Sequence, residues 1–221
     1  EKKVEMSKIT LKKIDKRDDV FESLNSLNEN MNSIDNLVGK KTKYFVAENL
    51  VPDPSFENNS WANGNFSTTE KIFGNKSLYF PIGQTIIATI SMPYPKIGHK
   101  YYGRKYIKTN GSNEPADCRF EWWGGDGENK NWVFAWNRGN HPNWEFNSEI
   151  HAIADVQMEQ SPIIRCFNVN TTAETWVDGL LIVDLTEAFG VGKEPTKEWC
   201  DANIPFFVGR QTIKIERRVM K

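Results

Sequence analysis

The sequence predicts a mainly β protein, with an N-terminal arm and coiled-coil helix over 1–43 and a β-rich domain over 44–221. Two features of the sequence support this prediction. Apolar residues recur at heptad spacing before residue 39, whereas after Lys43 short aromatic and β-branched runs alternate with Gly, Asn and Pro. The first pattern is typical of helices that pack along a seam, and the second is typical of strands in a sheet.

The predicted helix carries an uninterrupted heptad seam formed by Val20, Leu24, Leu27, Met31, Ile34 and Val38. Asp19 and Glu22 suit a capping box at its start, and Gly39 suits its end. Ser and Asn fill many other positions, so a lone helix of this length is marginal in water. The seam packs either on its own domain or on copies of itself. We expect self-association as a parallel homotrimer, because the mixed seam does not enforce a dimer.

The domain after Lys43 contains about ten candidate strands and no long helix between them. This order predicts a sandwich or a barrel instead of a parallel α/β sheet. One short helix is expected near Pro195–Asn203, because Pro suits the first helical turn. The predicted strands are Tyr44–Leu50, Lys71–Phe73, Lys76–Ile82, Gln84–Met92, Lys100–Thr109, Cys118–Trp123, Trp132–Arg138, Trp144–Ile153, Ile163–Val169, Thr175–Thr186 and Thr212–Arg218.

Charge and hydropathy argue against two classes of protein. The 28 basic and 29 acidic residues are spread along the chain and give a formal net charge of −1. A nucleic-acid-binding domain would carry a clustered basic face. No run approaches the roughly 18 apolar residues of a membrane-spanning helix. We therefore expect neither nucleic-acid binding nor membrane insertion.

The residues that usually carry catalysis show no catalytic spacing. The three histidines lack metal-site spacing, and the sequence contains no nucleophile elbow, phosphate-binding loop or HExxH motif. The three cysteines are far apart and form no CxxC pair, so we expect buried, reduced thiols. The sequence thus predicts a protein that is not an enzyme.

Tryptophans are concentrated between residues 122 and 144, within 23 residues. Strand side chains alternate between faces, so Trp122 and Trp123 point to opposite sides. Tryptophans in sandwiches often fill the core, but an exposed ring offers apolar contact to a sugar, and polar neighbours can bond its hydroxyls. We expect Trp123 and Trp144 to be exposed. The predicted glycan-binding residues are Trp123, Trp144, Trp122, Trp136, Asn137, Arg138 and Tyr102.

Three segments resemble conserved strands of the jelly-roll carbohydrate-binding modules attached to bacterial xylanases and cellulases. They are Asn49–Glu57 (NLVPDPSFE), Gly74–Phe80 (GNKSLYF) and Trp176–Leu180 (WVDGL). The resemblance implies a jelly-roll β-sandwich in which the first of these segments pairs with the last.

The same resemblance implies a possible structural Ca²⁺ between the first and last strands, since carboxylates and carbonyls are the ligands that Ca²⁺ takes. Glu57 and Asp178 are the candidate ligands, with Asn49 as a third. The alternative is that the two carboxylates are ordinary surface groups. The doubled Asp often found late in those modules is absent from this sequence.

A further segment, Asp184–Trp199 (DLTEAFGVGKEPTKEW), resembles a recurrent segment in tail, baseplate and fibre proteins of phages and prophages. The resemblance implies a non-catalytic tail component in the virion, assembled in the bacterial host cytoplasm, whose jelly roll binds a host-surface glycan. Other tail and baseplate proteins would be its partners. Two alternatives remain open: a structural baseplate connector that binds other tail proteins, and a secreted carbohydrate-binding module of a polysaccharide-degrading system.

Overall fold

The computed structural model describes residues 30, 42–110, 116–124, 131–154, 162–168 and 173–216. The predicted coiled coil falls outside this range except for Asn30, which is helical. The elements are β1 (Thr42–Glu48), β2 (Asn65–Ser67), β3 (Ser77–Phe80), β4 (Ile86–Ser91), β5 (Lys100–Asn110), β6 (Ala116–Trp123), β7 (Asn131–Gly139), β8 (Glu145–Ala152), β9 (Ile163–Asn168), β10 (Glu174–Asp184), α1 (Leu185–Phe189), α2 (Lys197–Asn203) and β11 (Arg210–Glu216).

Two antiparallel sheets form a sandwich. The five-stranded sheet has the order β2-β3-β10-β5-β8, and the four-stranded sheet has the order β4-β9-β6-β7. Both belong to one compact unit, Ala47–Gln211. Strands β1 and β11 pair as a separate two-stranded sheet. The strand order follows from long-range pairing, because β10 lies between β3 and β5 although about 70 residues separate it from β5 along the chain.

Alternation along the strands builds the core between the two sheets. On β6, Cys118, Phe120 and Trp122 are buried, and on β9 Ile164 and Cys166 are buried. These side chains meet the inward-facing residues of the five-stranded sheet in one hydrophobic cluster. The free cysteines are buried, as predicted.

One charged side chain crosses this core. Lys105, on β5, is fully buried, and its Nζ donates to the Cys118 carbonyl of β6 at 2.7 Å. The bond joins the two sheets, since each strand belongs to a different one.

The segment after β1 lies against β10, as the resemblance implied. Leu50 donates its backbone N–H to the Ile182 carbonyl at 2.8 Å, and Leu180 donates to the Pro54 carbonyl at 3.0 Å. The register of β10 with β5 shifts between Asp178 and Leu181. This bulge changes the direction of β10 where Asn49–Pro54 bonds to it.

Two helix N-caps and one aromatic contact stabilise the segment Asp184–Trp199. Asp184 caps α1 by accepting from the Glu187 N–H, and Thr196 caps α2 by accepting from the Trp199 N–H. Phe189 packs edge-on against Trp199, with ring centroids 5.6 Å apart. Several residues of this segment therefore stabilise its own fold.

Three local predictions differ from the structure. Lys71–Phe73 is not a strand, because the Ile72 and Phe73 N–H groups donate to the Asp178 carboxylate instead of to a neighbouring strand. Strand β2 was not predicted, since its three residues are too few for an alternating pattern. Helix α1 begins at Leu185, where a strand to Thr186 was predicted, because Asp184 caps it there. No described helix is long and apolar enough to span a membrane.

Candidate functional site

The outer face of the four-stranded sheet presents an aromatic and charged surface, which we call the platform. Its residues alternate with the buried core residues of the same strands, and strand register arranges them in rows. Thr89 on β4 pairs with Arg165 on β9, which pairs with Glu121 on β6. The platform consists of Ile87, Thr89, Arg119, Glu121, Trp123, Arg165 and Phe167.

Arg165 is the centre of the platform. Its Nε donates to Glu121 Oε1 at 2.7 Å, and its Nη2 donates to the same oxygen. Its Cζ lies 4.4 Å from the Trp123 ring centroid and 5.4 Å from that of Phe167. Glu121 is only 2% exposed, so this charge-assisted pair is largely shielded from solvent. The pair therefore holds a guanidinium in one place between two aromatic rings.

Trp123 brings an unused hydrogen-bond donor to the platform. The ring is half-buried, and its Nε1 is buried without an acceptor in the described part of the chain. A buried indole N–H usually finds a partner. The Trp123 Nε1 is therefore a donor that no described residue uses.

Two of the predicted glycan-binding residues are core residues. Trp122 is 1% exposed and packs edge-on against Tyr101, with centroids 5.3 Å apart. Tyr102 is fully buried, and its hydroxyl donates to Asp201 Oδ1 at 2.9 Å. Both predictions are wrong in this structure, because neither side chain presents a surface to a sugar.

The structure does not bring Trp123 and Trp144 together. Trp123 pairs with Asn131, the first residue of β7. Trp144 lies beyond the other end of β7, directly before β8 of the other sheet. Strand β7 has nine residues, which at about 3.3 Å per residue separates its ends by roughly 26 Å. Trp144 is half-buried. The single tryptophan-rich surface that we predicted is therefore divided, and of these two residues Trp123 alone belongs to the platform.

The other three predicted residues lie on β7. Trp136 pairs in register with Arg119, and Asn137 and Arg138 pair with Cys118 and Asp117. Their side chains are outside the described part of the structure, so their contact with a ligand stays a prediction.

Sequence reasoning missed Arg119, Glu121, Arg165 and Phe167. A signal for all four was present, because alternation places outward the residues that stand beside the buried Cys118, Phe120, Ile164 and Cys166. The pairing of Arg165 with Glu121 carried no local signal, since 44 residues separate them.

No model of a known protein family matches the chain. No curated protein matches it in sequence. Among solved structures, a family 16 carbohydrate-binding module is similar, with a TM-score of 0.50 and 14% identity over 62% of this chain and 100% of the module. The sandwich is a jelly roll. The predicted fold class is confirmed for this part of the chain.

Two further solved structures are similar to this jelly roll. The C-terminal family 22 module of Clostridium thermocellum Xyn10B has a TM-score of 0.47 and 11% identity, over 65% of this chain and 94% of that one. The enzymatically active domain of bacteriophage CBA120 tailspike protein 4 has a TM-score of 0.45 and 13% identity, over 61% of this chain and 21% of that one. At 14% identity the similarity to the family 16 module shows the fold alone, so ligand binding must be argued from the residues of this chain.

The predicted calcium ligands are held by N–H donors in the jelly roll. Asp178 accepts from the Ile72 and Phe73 backbone at 2.9 Å, and Glu57 accepts from the Asn75 and Lys76 backbone. Burial raises the pKa of Asp178 to about 6 despite these bonds. Calcium would have to compete with the N–H groups for the carboxylate oxygens. Calcium binding at Glu57 and Asp178 stays a prediction.

Asn49, the third predicted calcium ligand, has an anchoring role. Its Nδ2 donates to the Leu180 and Phe207 carbonyls at 2.9 Å, and its Oδ1 accepts from Val51 and Ile182 at 3.2 Å. The side-chain oxygen that would bind calcium already accepts two backbone N–H groups. Asn49 therefore ties the segment after β1 to β10.

A second polar cluster, not expected from the sequence, is formed by His99, Asp184 and Glu187, whose ligand atoms lie within 4.8 Å of one another. The His99 Nδ1 lies 2.8 Å from Asp184 Oδ2, and the Lys96 ammonium lies 2.5 Å from Glu187. Lys96 lowers the pKa of Glu187 through this bond. Each carboxylate is already partnered, so this cluster stabilises the start of α1.

Proposed function

We propose that the chain is a non-catalytic glycan-binding protein and that the platform is its binding surface. The observation that carries this proposal is the Arg165 guanidinium, bonded to Glu121 and lying 4.4 Å from the Trp123 ring centroid. Aromatic rings beside fixed polar groups are the combination that sugar recognition needs, because a sugar has apolar CH faces and hydroxyl edges.

The platform residues have complementary tasks in this proposal. The Trp123 and Phe167 rings supply apolar contact to the CH face of a sugar. Glu121 uses the Nε and Nη2 of Arg165, which leaves Nη1 for ligand hydroxyls. Because the Glu121 bond already holds Arg165 in place, little side-chain entropy is lost when a ligand binds.

For the biological setting, we propose a phage or prophage tail component that presents the platform to host-surface glycan. The resemblance of Asp184–Trp199 to phage tail proteins supports this setting. In a tail, other baseplate proteins would be partners, and the predicted coiled coil would supply self-association. A secreted carbohydrate-binding module is the alternative that the jelly-roll fold supports equally well.

The test is a glycan array that includes xylans, galactans and bacterial surface polysaccharides, followed by calorimetry with the strongest ligand. We expect Trp123→Ala to weaken binding by about 30-fold or more, since a central Trp contributes about 2 kcal/mol or more to a binding site. Trp144→Ala is the matched control, because Trp144 is also half-buried but lies away from the platform. It should bind like the wild type.

Thermal melts must accompany both variants, since loss of a core Trp would lower stability by about 3–5 kcal/mol. A folded Trp123→Ala protein with wild-type affinity would exclude the platform as the binding surface. If the wild-type chain binds no glycan on the array or on bacterial cells, the structural connector becomes the better explanation.

A further inference from the structure

Arg104 on β5 is a buried cation that forms no direct ion pair with a carboxylate of the described residues. The residue is 2% exposed, and its Nε and Nη2 have no hydrogen-bond partner in the described part of the chain. Within the described residues, no carboxylate forms a salt bridge with it. Burying an unpaired charge is costly, so such a group is normally paired or binds a ligand.

The surroundings of Arg104 are aromatic. Its Cζ lies 5.4 Å from the Tyr106 ring centroid and 5.4 Å from that of Phe146. The Tyr102 hydroxyl lies near the guanidinium and donates to Asp201 Oδ1 at 2.9 Å. Phe146 is 42% exposed, so it forms the solvent side of this cluster. Arg104 belongs to the five-stranded sheet, and the site is therefore separate from the platform on the other sheet.

The two unpaired donors are adjacent in the guanidinium. The N–H groups of Nε and Nη2 point in parallel from one edge of the planar group, and this edge binds the two oxygens of a carboxylate side by side. The unused edge therefore matches a planar anion in both charge and geometry.

We propose that Arg104 forms a binding site for the carboxylate of an acidic sugar, with Phe146 and Tyr106 packing against the sugar ring. The carboxylate would accept from Nε and Nη2 and neutralise the buried charge. Phe146 is the exposed member of the cluster, so a ligand would enter by moving this side chain aside. The site does not depend on the function proposed for the platform, because the two surfaces lie on different sheets.

The test uses D-glucuronate as the probe, D-glucose as its neutral counterpart and sodium chloride at matched ionic strength. Glucuronate at a hundredfold excess over Kd should raise the Tm by about 5–10 °C, because it binds only the folded state. Glucose and chloride should leave the Tm unchanged. In ¹⁵N-labelled protein, the Arg104 Nε–H resonance should shift on titration with glucuronate.

Two variants separate charge from geometry. Arg104→Lys keeps the positive charge but loses the parallel donors, and Arg104→Met removes both. We expect both to lose the response to glucuronate, and Arg104→Met to melt no lower than the wild type without ligand, because it removes an unpaired buried charge. A retained Tm rise in Arg104→Lys would overturn the bidentate site. An unshifted Arg104 resonance, or stabilisation by inorganic phosphate but not by glucuronate, would overturn the carboxylate assignment.

Discussion

At the residue scale, Asp178 shows how the fold changes the chemistry of one side chain. It is fully buried and accepts backbone N–H groups from Ile72, Phe73 and Gly179. Burial, which disfavours the charged form, is the larger effect and raises its pKa from 3.8 to about 6. Asp178 therefore takes up a proton more readily in the folded chain than in the unfolded chain.

This pKa shift predicts a pH-dependent stability. Between about pH 4 and pH 6 Asp178 holds a proton more often in the folded state than in the unfolded state, so its contribution to the free energy of unfolding falls as pH rises. The contribution of protonated Asp178 is present below pH 3.8 and is lost by about pH 6, and its size is up to about 3 kcal/mol. Asp178→Asn should lack this decline in urea unfolding measured across the window.

Glu174→Gln is the contrasting variant for this measurement. Hydrogen bonds from Tyr79 and Asn110 lower the pKa of Glu174, so its stabilisation is lost as pH falls. Removing the Glu174 carboxylate should change the free energy of unfolding at acid pH. The decline that Asp178 causes between pH 4 and pH 6 should remain. If Asp178→Asn and the wild type have parallel profiles, Asp178 does not titrate in this window.

At the element scale, the bulge in β10 depends on Gly179. Its φ is 58°, and a Cβ there would lie 2.5 Å from the Phe73 ring and 3.0 Å from Tyr106. Phe73 in turn packs against Phe206, with centroids 4.2 Å apart. A side chain at position 179 is therefore disfavoured both by backbone conformation and by space.

We expect Gly179→Ala to destabilise the domain more than Gly83→Ala does. Gly83 also has a positive φ, 77°, but no atom lies within 4 Å of a Cβ placed there. Gly83→Ala should therefore show only the backbone cost of about 1–2 kcal/mol. Gly179→Ala should cost about 1–3 kcal/mol more, because Phe73 must move. Equal unfolding midpoints for the two variants would mean that the bulge adjusts without strain.

At the scale of the whole molecule, the predicted homotrimer has the largest consequence for function. The seam from Val20 to Val38 lies outside the described residues, so self-association rests on the sequence. Light scattering should report a trimer for the full chain and a monomer for a version that begins at Lys41. Three weak sugar sites in one assembly would raise avidity by about 10²–10⁴, if receptor spacing allows.

The shortened version is a suitable control because β1 begins at Thr42 and stays intact. Its affinity for a single glycan should equal that of the full chain, whereas its binding to a glycan-coated surface should be weaker. A monomeric full chain would contradict self-association. A dimer would support association through the seam and contradict the predicted trimer.

Local patterns were enough to predict a sandwich or a barrel, whereas the jelly roll was implied by the resemblance of three segments to carbohydrate-binding modules. Short alternating runs located most strands of both sheets, because the side-chain period of a strand is a local property. The same alternation placed Trp122 and Trp123 on opposite faces, and the structure buries the first and leaves the second half-buried. The capping residues Asp184 and Thr196 also act within their own segments.

Long-range contacts decided which outward-facing residues lie at the surface of the sandwich. Alternation directs Tyr102 outward from the core, but Asp201 of α2, 99 residues away, covers it. Arg165 meets Glu121 and Trp123 only because β9 pairs with β6. Trp144 is close to the other tryptophans in sequence, yet the length of β7 carries it to the far end of the sandwich. Strand pairing, and the burial of an outward-facing side chain by another element, depend on the whole chain. No local pattern could therefore specify them.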